Sequence, residues 1–571
     1  METGRPPSES GRASSLSNTG QLLLALFLLN SALVFHNRWP TAGVRWVPEL
    51  SLDLVILLGG LVLLATWRPL GRGVRGMVLV LYLILILGRY LDVTAPALLG
   101  RPIDLYWEIR HFPRVVAMFL DGVPGWQILV GSLALLALVG VLVAVARWAL
   151  GTVTAALAHP AGRRRLGALS LVLLALYGAG RLNPHWPTEH WFALSVGAML
   201  AGQAQSALAA TVLNDPRRFA AEPPLPESDL GRLAGGDVFV IFLESYGALV
   251  LDDPAFADPL ADDFTTLQRK LDAAGWRVVS ARVESSTFGG GSWLAHASLL
   301  AGARIADPAD YQSLLTSNRS TLVARFAAAG YRTLALKPGL KYPWPEGWFY
   351  GFDQILDARR LDYRGPIYGW WAIPDQFSLY WLHQTAVAPA DRAPLFVIFP
   401  TIVSHAPFTP VPPYHADWSV FDDWLAATEA SDVMELNRRL HGRELAEAFI
   451  RAMRYNLQML GGYLRQYAPD NALLVVLGDH QPPAAVGGRE ISWQVPVHLF
   501  ARDPALIEAG LAVGFQTGLR PGPTAVGGIE DLGPWLLRLL DSQQPPPATF
   551  LPVAATTAGL VTPTAVSPLT Q

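Results

Sequence analysis

Acidic and histidine side chains follow two short apolar runs in the second half of the chain. The run VFVIFL (238–243) is followed by Glu244, and the run ALLVVL (472–477) is followed, after a glycine, by Asp479 and His480. Runs of this kind are typical of buried parallel strands, whose carboxyl ends meet at one edge of a sheet. Carboxylate and imidazole groups are typical ligands of Zn²⁺ and Mn²⁺. The sequence therefore predicts one divalent cation, Zn or Mn, bound by these three side chains.

A glycine-rich loop supplies a candidate nucleophile. In ESSTFGGGSWLAHASLLAG (284–302), three consecutive glycines precede Ser292, which lies at the predicted start of a helix. The free N–H groups and the dipole of a helix N-terminus favour a bound phosphate. A hydroxyl group bound to a divalent cation becomes a nucleophile. Ser292 is therefore predicted to be a cation ligand and to attack a phosphorus or sulfur ester, with Thr287 as the alternative nucleophile.

Two histidines and a lysine are further candidates for contacts with the substrate. His405 follows the apolar run PLFVIFPTIV and is predicted to be a general acid/base or a phosphate ligand. His296 lies one helical turn beyond Ser292, where it contacts the substrate or a second metal, or packs under the site. Lys337 ends another predicted strand at the same edge and is a candidate for binding a phosphate oxygen.

Four tryptophans form either a wall that faces lipid or sugar, or part of an aromatic core. Trp344 is the one that we predict to contact the substrate. The others are Trp348, Trp370 and Trp371.

Strand-like and helix-like segments alternate after residue 237. The segment TLVARFAAAGYRTLAL (321–336) predicts a helix, a stop at Gly330 and a strand. A long helix is predicted over 444–468, and VPVHLFA (495–501) predicts a strand. Alternation of this kind predicts an α/β domain with a mainly parallel central sheet that is covered by helices.

The first third of the chain has the composition of a membrane domain. Hydrophobic residues make up 51% of the chain and charged residues only 16%. A membrane-spanning helix needs about 20 mostly apolar residues, and we predict a bundle of about five such helices. The apolar runs lie at 21–35, 52–67, 77–88, 126–146 and 166–180.

The distribution of arginine predicts the orientation of these helices. The segments that would face the cytoplasm with an inside N-terminus carry more arginines than the segments that would face outside. The protein is therefore predicted to be a multi-pass protein of the bacterial inner (plasma) membrane, with an extracytoplasmic, periplasmic catalytic domain. The predicted parts are a cytoplasmic N-terminus (1–20), a transmembrane domain (21–181), a connector (182–236), the catalytic domain (237–542) and a disordered tail (543–571).

Composition also excludes several kinds of site. The chain has no cysteine, so disulfides and thiolate metal sites are excluded. Its net charge of −3 gives no sign of a nucleic-acid partner.

These motifs resemble those of the sulfatase / alkaline phosphatase superfamily, and within it the lipoteichoic acid synthase-like phosphoglycerol transferases and the phosphoethanolamine transferases. The resemblance rests on FLESYG (242–247), GDH (478–480), SHAPF (404–408) and the spacing from Ser292 to Gly302. It implies a sulfatase-like α/β fold, and a transferase that moves phosphoglycerol or phosphoethanolamine from a phospholipid donor to a glycan or glycolipid acceptor through a covalent Ser intermediate. The alternative is a membrane-tethered sulfatase- or phosphatase-type ester hydrolase.

The chain departs from its relatives at three positions. The transferases have Thr at the position of Ser292. The Trp-x-Arg of phosphoglycerol transferases is matched by Trp344, but Glu346 replaces the arginine. His296 occupies the arginine position of the Cys-x-Pro-x-Arg motif of sulfatases. The sequence therefore does not identify the transferred group.

Overall fold

The computed structural model describes residues 9–38, 41–120, 123–183, 187–212, 218–219, 222–429, 433–435, 443–488, 492–547 and 550. The chain forms two compact units, residues 1–213 and 214–571. Residues 1–8 of the predicted N-terminal segment and residues 551–571 of the predicted tail lie outside the described residues. The finer division into five parts stays a prediction.

The first unit is mainly helical, because its apolar runs are rich in leucine and alanine, which favour helices. Its helices are α1 (Glu9–Ser31), α2 (Leu52–Trp67), α3 (Arg72–Leu99), α4 (Leu105–Glu108), α5 (Phe112–Leu120), α6 (Gly125–Leu157), α7 (Pro160–Leu182) and α8 (Val196–Val212). Its short strands are β1 (Phe35–Asn37), β2 (Val44–Trp46), β3 (Leu50–Ser51) and β4 (Phe192–Ala193). β1 pairs with β2, and β3 pairs with β4.

Three helices of the first unit, α3, α6 and α7, are long and apolar enough to cross a membrane. The remaining two apolar runs lie in the shorter stretches Thr19–Ser31 and Leu52–Trp67. At 1.5 Å per residue, 16 residues span only about 24 Å, less than the roughly 30 Å hydrocarbon layer. The predicted count of about five spanning helices is therefore not confirmed.

The second unit contains the strands of the predicted α/β domain. They are β5 (Val238–Leu243), β6 (Arg277–Glu284), β7 (Arg332–Lys337), β8 (Gln354–Asp357), β9 (Ile367–Tyr368), β10 (Leu395–Pro400), β11 (Val433–Glu435), β12 (Leu473–Gly478), β13 (Gln494–Ala501), β14 (Gln516–Thr517) and β15 (Ala525–Gly528). Nine of them form one sheet in the order β14-β6-β13-β12-β5-β10-β7-β8, with β15 beside β6. β9 and β11 form a separate pair.

The helices of the second unit lie between these strands in the chain. They are α9 (Leu249–Asp252), α10 (Pro254–Ala273), α11 (Ser292–Ala301), α12 (Pro308–Leu315), α13 (Leu322–Ala328), α14 (Gly347–Tyr350), α15 (Ala358–Leu361), α16 (Asp375–Leu382), α17 (Val420–Ala426), α18 (Arg443–Gln466), α19 (Ala484–Gly487), α20 (Pro504–Ala512) and α21 (Leu532–Leu540).

The central sheet is mixed. β12, β5, β10, β7 and β8 run parallel, whereas β13 is antiparallel to both β12 and β6, and β14 is antiparallel to β6. A parallel connection needs a crossover of a dozen or more residues, usually a helix. The described part of the connection from β12 to β13 contains only the short helix α19, and the chain returns antiparallel. The prediction of a mainly parallel sheet is therefore not confirmed.

Both faces of the sheet are buried. Along β5, Val238, Val240 and Phe242 belong to one hydrophobic cluster, and Phe239, Ile241 and Leu243 belong to the other. Because side chains alternate along a strand, this division places one cluster on each face. β5 is thus the central strand of a covered sheet, and its carboxyl end has parallel neighbours on both sides.

Candidate metal centre

The candidate site lies at the carboxyl ends of the three adjacent parallel strands β10, β5 and β12. In the register of the sheet, Gly478 is opposite Leu243 and Pro400 is opposite Phe242. Glu244 and Asp479, the next residues of their strands, therefore emerge side by side. Their proximity follows from strand register and not from their separation in the sequence.

Glu244, Asp479 and His480 form a buried cluster in which one ligand atom of each lies within 4.8 Å of the others. His480 Nε2 lies 3.4 Å from Glu244 Oε1 and 3.7 Å from Asp479 Oδ2. Ser292 joins the cluster, with its Oγ 3.0 Å from Glu244 Oε2 and 3.1 Å from His480 Nε2. The four side chains predicted as cation ligands thus lie together.

The donor atoms of this cluster fit a divalent cation. Asp479 Oδ1 accepts hydrogen bonds from the N–H groups of Ser245 and His480, both at 2.8 Å. Asp479 Oδ2 is buried and has no hydrogen-bond partner within the described part of the chain. His480 Nδ1 lies 2.7 Å from the Gln481 carbonyl oxygen, to which it donates. The lone pair of His480 Nε2 therefore faces the cluster, as in metal-binding histidines.

The two carboxylates have opposite pKa shifts. Burial raises the pKa of Glu244 to about 8, and the negative charge of Asp479 adds to this effect. The pKa of Asp479 is lowered: burial opposes ionisation, but the adjacent His480 and His296 outweigh it. Oxygen atoms of the two carboxylates lie within 4.8 Å of each other. Two negative charges this close need a counter-charge, and a divalent cation would supply one.

Three glycines with positive φ position Ser292. Gly289, Gly290 and Gly291 have φ values of 62°, 136° and 76°. Residues with a side chain rarely adopt such positive φ values. They let the chain turn from β6 into α11, whose first residue is Ser292. The alternative nucleophile, Thr287, is buried and donates its hydroxyl proton to the Gly290 carbonyl oxygen at 2.6 Å. That hydroxyl group is used to close the loop.

Close backbone contact fixes the turn after β5. Ser245 has a φ of 60°, which is strained for a residue with a side chain. The carbonyl oxygen of Tyr246 lies against Gly478, at a position that a Cβ atom would fill. Gln481 ties this turn to the neighbouring loop, because its side chain accepts from the Leu249 N–H group and donates to the Ser492 and Gln494 carbonyl oxygens.

Replacing Gly478 with alanine is expected to distort the cluster, because the added Cβ would meet the Tyr246 carbonyl group and the neighbouring side chain of Val495. Overpacking of this kind costs about 1–3 kcal/mol of stability, and displacement of Asp479 from Glu244 should weaken cation binding by the cluster. Thermal unfolding and metal analysis measure the two effects. Gly151→Ala is the control, because an added Cβ there meets nothing within 4 Å. Wild-type stability and metal content of Gly478→Ala would contradict this account.

The loop after β10 is fixed to the backbone of Glu244. Thr401 Oγ1 accepts from the Glu244 N–H group at 3.1 Å, and Ser404 Oγ donates to the Glu244 carbonyl oxygen at 2.7 Å. Asn456 Nδ2 donates to Ser404 Oγ at 2.8 Å. These bonds place His405 at the edge of the sheet that carries the cluster.

Asp375 forms hydrogen bonds with the same loop after β10. Its carboxylate accepts hydrogen bonds from the backbone N–H groups of Ile402, at 3.0 Å, and Val403, at 2.8 Å. The carboxyl group is fully buried, and burial raises its pKa to about 7. No role for Asp375 could be predicted, because nothing in its local sequence pattern indicates which distant backbone it would contact.

His405 has the orientation of a neutral imidazole. Its Nδ1 lies 2.7 Å from the Ala406 carbonyl oxygen, to which it donates, so Nε2 carries the lone pair. Burial lowers its pKa. The ring packs edge-on against Trp371, with ring centres 4.5 Å apart. His405 is half-buried and lines a surface depression beside Trp371.

His296 lies beside the cluster, and Lys337 packs on the ring of Trp344. His296 Nε2 is 3.9 Å from Asp479 Oδ2, and its ring packs on Phe242 with centres 4.2 Å apart. Lys337 Nζ lies 4.2 Å from the centre of the Trp344 ring. Burial lowers the pKa of Lys337 to about 8. His296 thus packs on Phe242 beside a cluster carboxylate, and its contact with the substrate or with a second metal stays a prediction.

Comparison with known proteins agrees with the predicted resemblance. Residues 296–507 match the family model described as Sulfatase, which confirms the resemblance to this superfamily. No curated protein sequence matches the chain.

Several solved structures are similar to the chain at low identity. A Vibrio parahaemolyticus protein of the alkaline phosphatase superfamily has 16% identity and a TM-score of 0.34, covering 56% of this chain and 68% of its own. The lipoteichoic acid synthase LtaP from Listeria monocytogenes has 14% identity and a TM-score of 0.36, covering 57% and 77%. The phosphoglycerol transferase GacH from Streptococcus pyogenes has 13% identity and a TM-score of 0.33, covering 61% and 87%.

Proposed function

We propose that this chain, which carries a sulfatase-family domain over residues 296–507, is a membrane-anchored, metal-dependent transferase. It would move a phospho-head group, phosphoglycerol or phosphoethanolamine, from a phospholipid to a glycan or glycolipid through a covalent intermediate on Ser292. The proposal rests mainly on one observation. The Ser292 hydroxyl group lies within 3.1 Å of both a carboxylate and an imidazole nitrogen of a cluster that fits a cation.

A divalent cation, Zn or Mn, would be held by Glu244, Asp479, His480 and the Ser292 hydroxyl group. When bound, it supplies positive charge that lowers the pKa of the hydroxyl group and stabilises negative charge on a phosphoryl oxygen. The protein groups orient the nucleophile and exclude water, since Glu244, Asp479 and His480 are all buried. The N-terminus of α11, which begins at Ser292, would contribute a favourable dipole for the attacked phosphate.

In the first half-reaction, Ser292 Oγ forms a bond to phosphorus and the bond from phosphorus to the diacylglycerol oxygen breaks. The serine proton passes to Glu244 Oε2, to which it is already hydrogen-bonded. The departing oxygen takes a proton from solvent. The products are diacylglycerol and a phospho-Ser292 ester that keeps the head group.

In the second half-reaction, an acceptor hydroxyl group attacks phosphorus and the bond to Ser292 breaks. His405 takes the proton of the acceptor as general base and then releases it to solvent, which restores the neutral imidazole. Its lowered pKa and the lone pair on Nε2 suit it to this role of base. Ser292 recovers its proton from Glu244, so protons and charges balance over the cycle.

The helical first unit supports a lipid substrate. Three apolar helices are long enough to anchor the chain in a membrane, where a phospholipid donor resides. We propose that the anchor is in the bacterial inner membrane and that the catalytic domain is periplasmic. The arginine distribution supports this orientation.

A membrane-tethered hydrolase of phosphate or sulfate esters is the second candidate. The description of the matching family model favours it. In this reaction, water replaces the acceptor hydroxyl group in the second half-reaction.

Mass spectrometry of the quenched enzyme tests the proposal. The purified full chain, loaded with Zn²⁺ or Mn²⁺, is mixed with phosphatidylglycerol or phosphatidylethanolamine without acceptor. We expect a covalent adduct with the mass of the phospho-head group on the peptide that contains Ser292. A glycan acceptor should discharge the adduct faster than water does. An adduct on Thr287, or discharge that is unaffected by any acceptor, would contradict the transferase proposal.

A further inference from the structure

A groove with a positively charged lining lies at one edge of the central sheet, beside the edge strand β8. Its volume is about 240 Å³, just below the usual range for small-molecule sites. We call it the basic groove, and its polar lining consists of Arg332, Gln354, Arg360, Trp381 and Thr385. The sheet order places β8 three strands from β5, about 14 Å at the usual strand spacing. The basic groove is therefore separate from the candidate metal centre.

The side chains that line the basic groove offer hydrogen-bond donors and no carboxylate. The guanidinium groups of Arg332 and Arg360 can only donate. Arg332 Nη2 donates to Gln354 Oε1 at 3.0 Å, so the amide oxygen faces Arg332 and the amide N–H₂ group is left to donate. The Thr385 hydroxyl group already donates to the Trp381 carbonyl oxygen at 2.7 Å. Such a lining suits an oxyanion and repels a cation.

Neither arginine of the basic groove forms an ion pair within the described residues. The two carboxylates that flank β8 have other contacts. Asp353 Oδ2 accepts from the N–H and hydroxyl groups of Thr333, at 2.7 and 3.0 Å. Asp357 Oδ1 accepts from the backbone N–H group of Arg360, at 2.9 Å, and caps α15. Two guanidinium charges therefore line the groove without a paired counter-charge, which a bound anion would supply.

Regular elements hold the lining of the basic groove in place. Leu356 of β8 and Ala386 are buried and supply its apolar part. After α16, the chain continues in a π-helical turn, His383–Val387, which carries Thr385 and Ala386. Turns of this kind are frequent at functional sites. Buried apolar surroundings strengthen hydrogen bonds to charged groups, and a preformed site loses less entropy on binding than a mobile one.

We propose that the basic groove is a second binding site, for a phosphate group. The planar guanidinium group matches the geometry of phosphate oxygens. A phosphate group also has more oxygens than a carboxylate, enough to accept from two guanidinium groups and an amide. The phosphate group belongs either to free inorganic phosphate or to a lipid head group, since both present the same oxygens. The inference does not depend on the proposed transfer at Ser292.

Isothermal titration calorimetry with inorganic phosphate tests the proposal. The full chain, in a non-ionic detergent, is first stripped of cations by dialysis against a chelator, so that no cation in the Glu244, Asp479 and His480 cluster binds phosphate. We expect saturable binding by the wild type. Arg360→Gln removes one charge from an exposed position, where the fold tolerates the change, and should weaken binding about ten-fold. Arg332→Gln should act in the same direction.

Two further variants control for charge and for the position of the bound phosphate. Arg359→Gln is the matched control, because Arg359 is also exposed on α15 but does not line the basic groove. It should change the affinity by less than about two-fold, since a screened surface charge contributes little. Asp479→Asn should bind phosphate as the wild type does. Absence of saturable binding by the wild type, equal weakening by Arg359→Gln and Arg360→Gln, or loss of binding in Asp479→Asn would each overturn the proposal.

A second titration separates the two sources of the phosphate group. The probe is dihexanoyl phosphatidic acid, kept below its critical micelle concentration. Tighter binding than that of inorganic phosphate, weakened by Arg360→Gln, assigns the basic groove to a lipid head group, and equal or weaker binding assigns it to free phosphate. Both outcomes support a phosphate site, whereas unchanged binding of both probes by the double variant Arg332→Gln/Arg360→Gln would overturn it. The test for a Ser292 adduct is separate, so the proposed reaction and the phosphate site stand or fall independently.

Discussion

Replacing Ser292 with alanine is expected to reduce turnover by about 10³-fold or more. The variant removes the oxygen that lies 3.0 Å from Glu244 and 3.1 Å from His480, and no other hydroxyl group contacts both side chains in the described part of the chain. The fold should be kept, because alanine is tolerated at the first position of a helix. The release of diacylglycerol from a labelled phospholipid measures the effect.

Two control variants separate the nucleophile from its loop. Thr287→Ser keeps the hydroxyl group that closes the loop onto Gly290 and should retain most activity. Ser292→Thr keeps a nucleophilic oxygen and should retain more activity than Ser292→Ala. Cation content, measured by metal analysis, should fall little in Ser292→Ala, because Glu244, Asp479 and His480 remain. Substantial turnover by Ser292→Ala would show that another group attacks the substrate.

Replacing Asp479 with asparagine is expected to abolish cation binding while the fold is kept. The two oxygens of this side chain have different roles: Oδ1 accepts two backbone hydrogen bonds, and Oδ2 has no partner in the described residues. Asparagine can retain the first role, but its amide nitrogen cannot bind a cation. Bound metal should fall from about one ion per chain to near zero, and turnover should fall with it.

Thermal unfolding separates loss of the cation from loss of the fold. Added Zn²⁺ or Mn²⁺ should stabilise the wild type, by about 2.7 kcal/mol at a hundred times the dissociation constant. The same addition should not stabilise Asp479→Asn or His480→Ala. His383→Ala is a control, since His383 lies outside the cluster and should leave metal-dependent stabilisation unchanged. Equal metal content in wild type and Asp479→Asn would exclude this cluster as the cation site.

The cluster of Glu244, Asp479 and His480 was predictable because these side chains follow apolar runs that are recognisable as strands. Buried apolar runs identified β5 and β12, and the register of parallel strands explains why Glu244 and Asp479 meet. The three glycines before Ser292 likewise predicted a helix start, and α11 begins there. These features depend on local patterns and on one rule of sheet geometry.

The supporting contacts were not predictable, because they join backbone groups that are distant in the sequence. The Asp375 carboxylate accepts hydrogen bonds from the N–H groups of Ile402 and Val403. The side chain of Asn456 donates a hydrogen bond to Ser404 Oγ. Each is a polar residue in an otherwise ordinary helix, and only the packed fold shows its partner. The strand β13 was predicted but its antiparallel direction was not, since VPVHLFA has the same composition as a parallel strand.

The separation of the site residues along the chain bears on when a newly made protein becomes reactive. The hydrogen-bonded pairs Ser292–Glu244 and Ser292–His480 are 48 and 188 residues apart. A growing chain folds from its N-terminal side during synthesis, so the apolar helices and Ser292 leave the ribosome long before β12. A nascent chain whose apolar helices have already been synthesised therefore lacks half of the residues proposed to bind the cation. Under the proposed function, lipid cleavage would begin only after β12 has paired with β5.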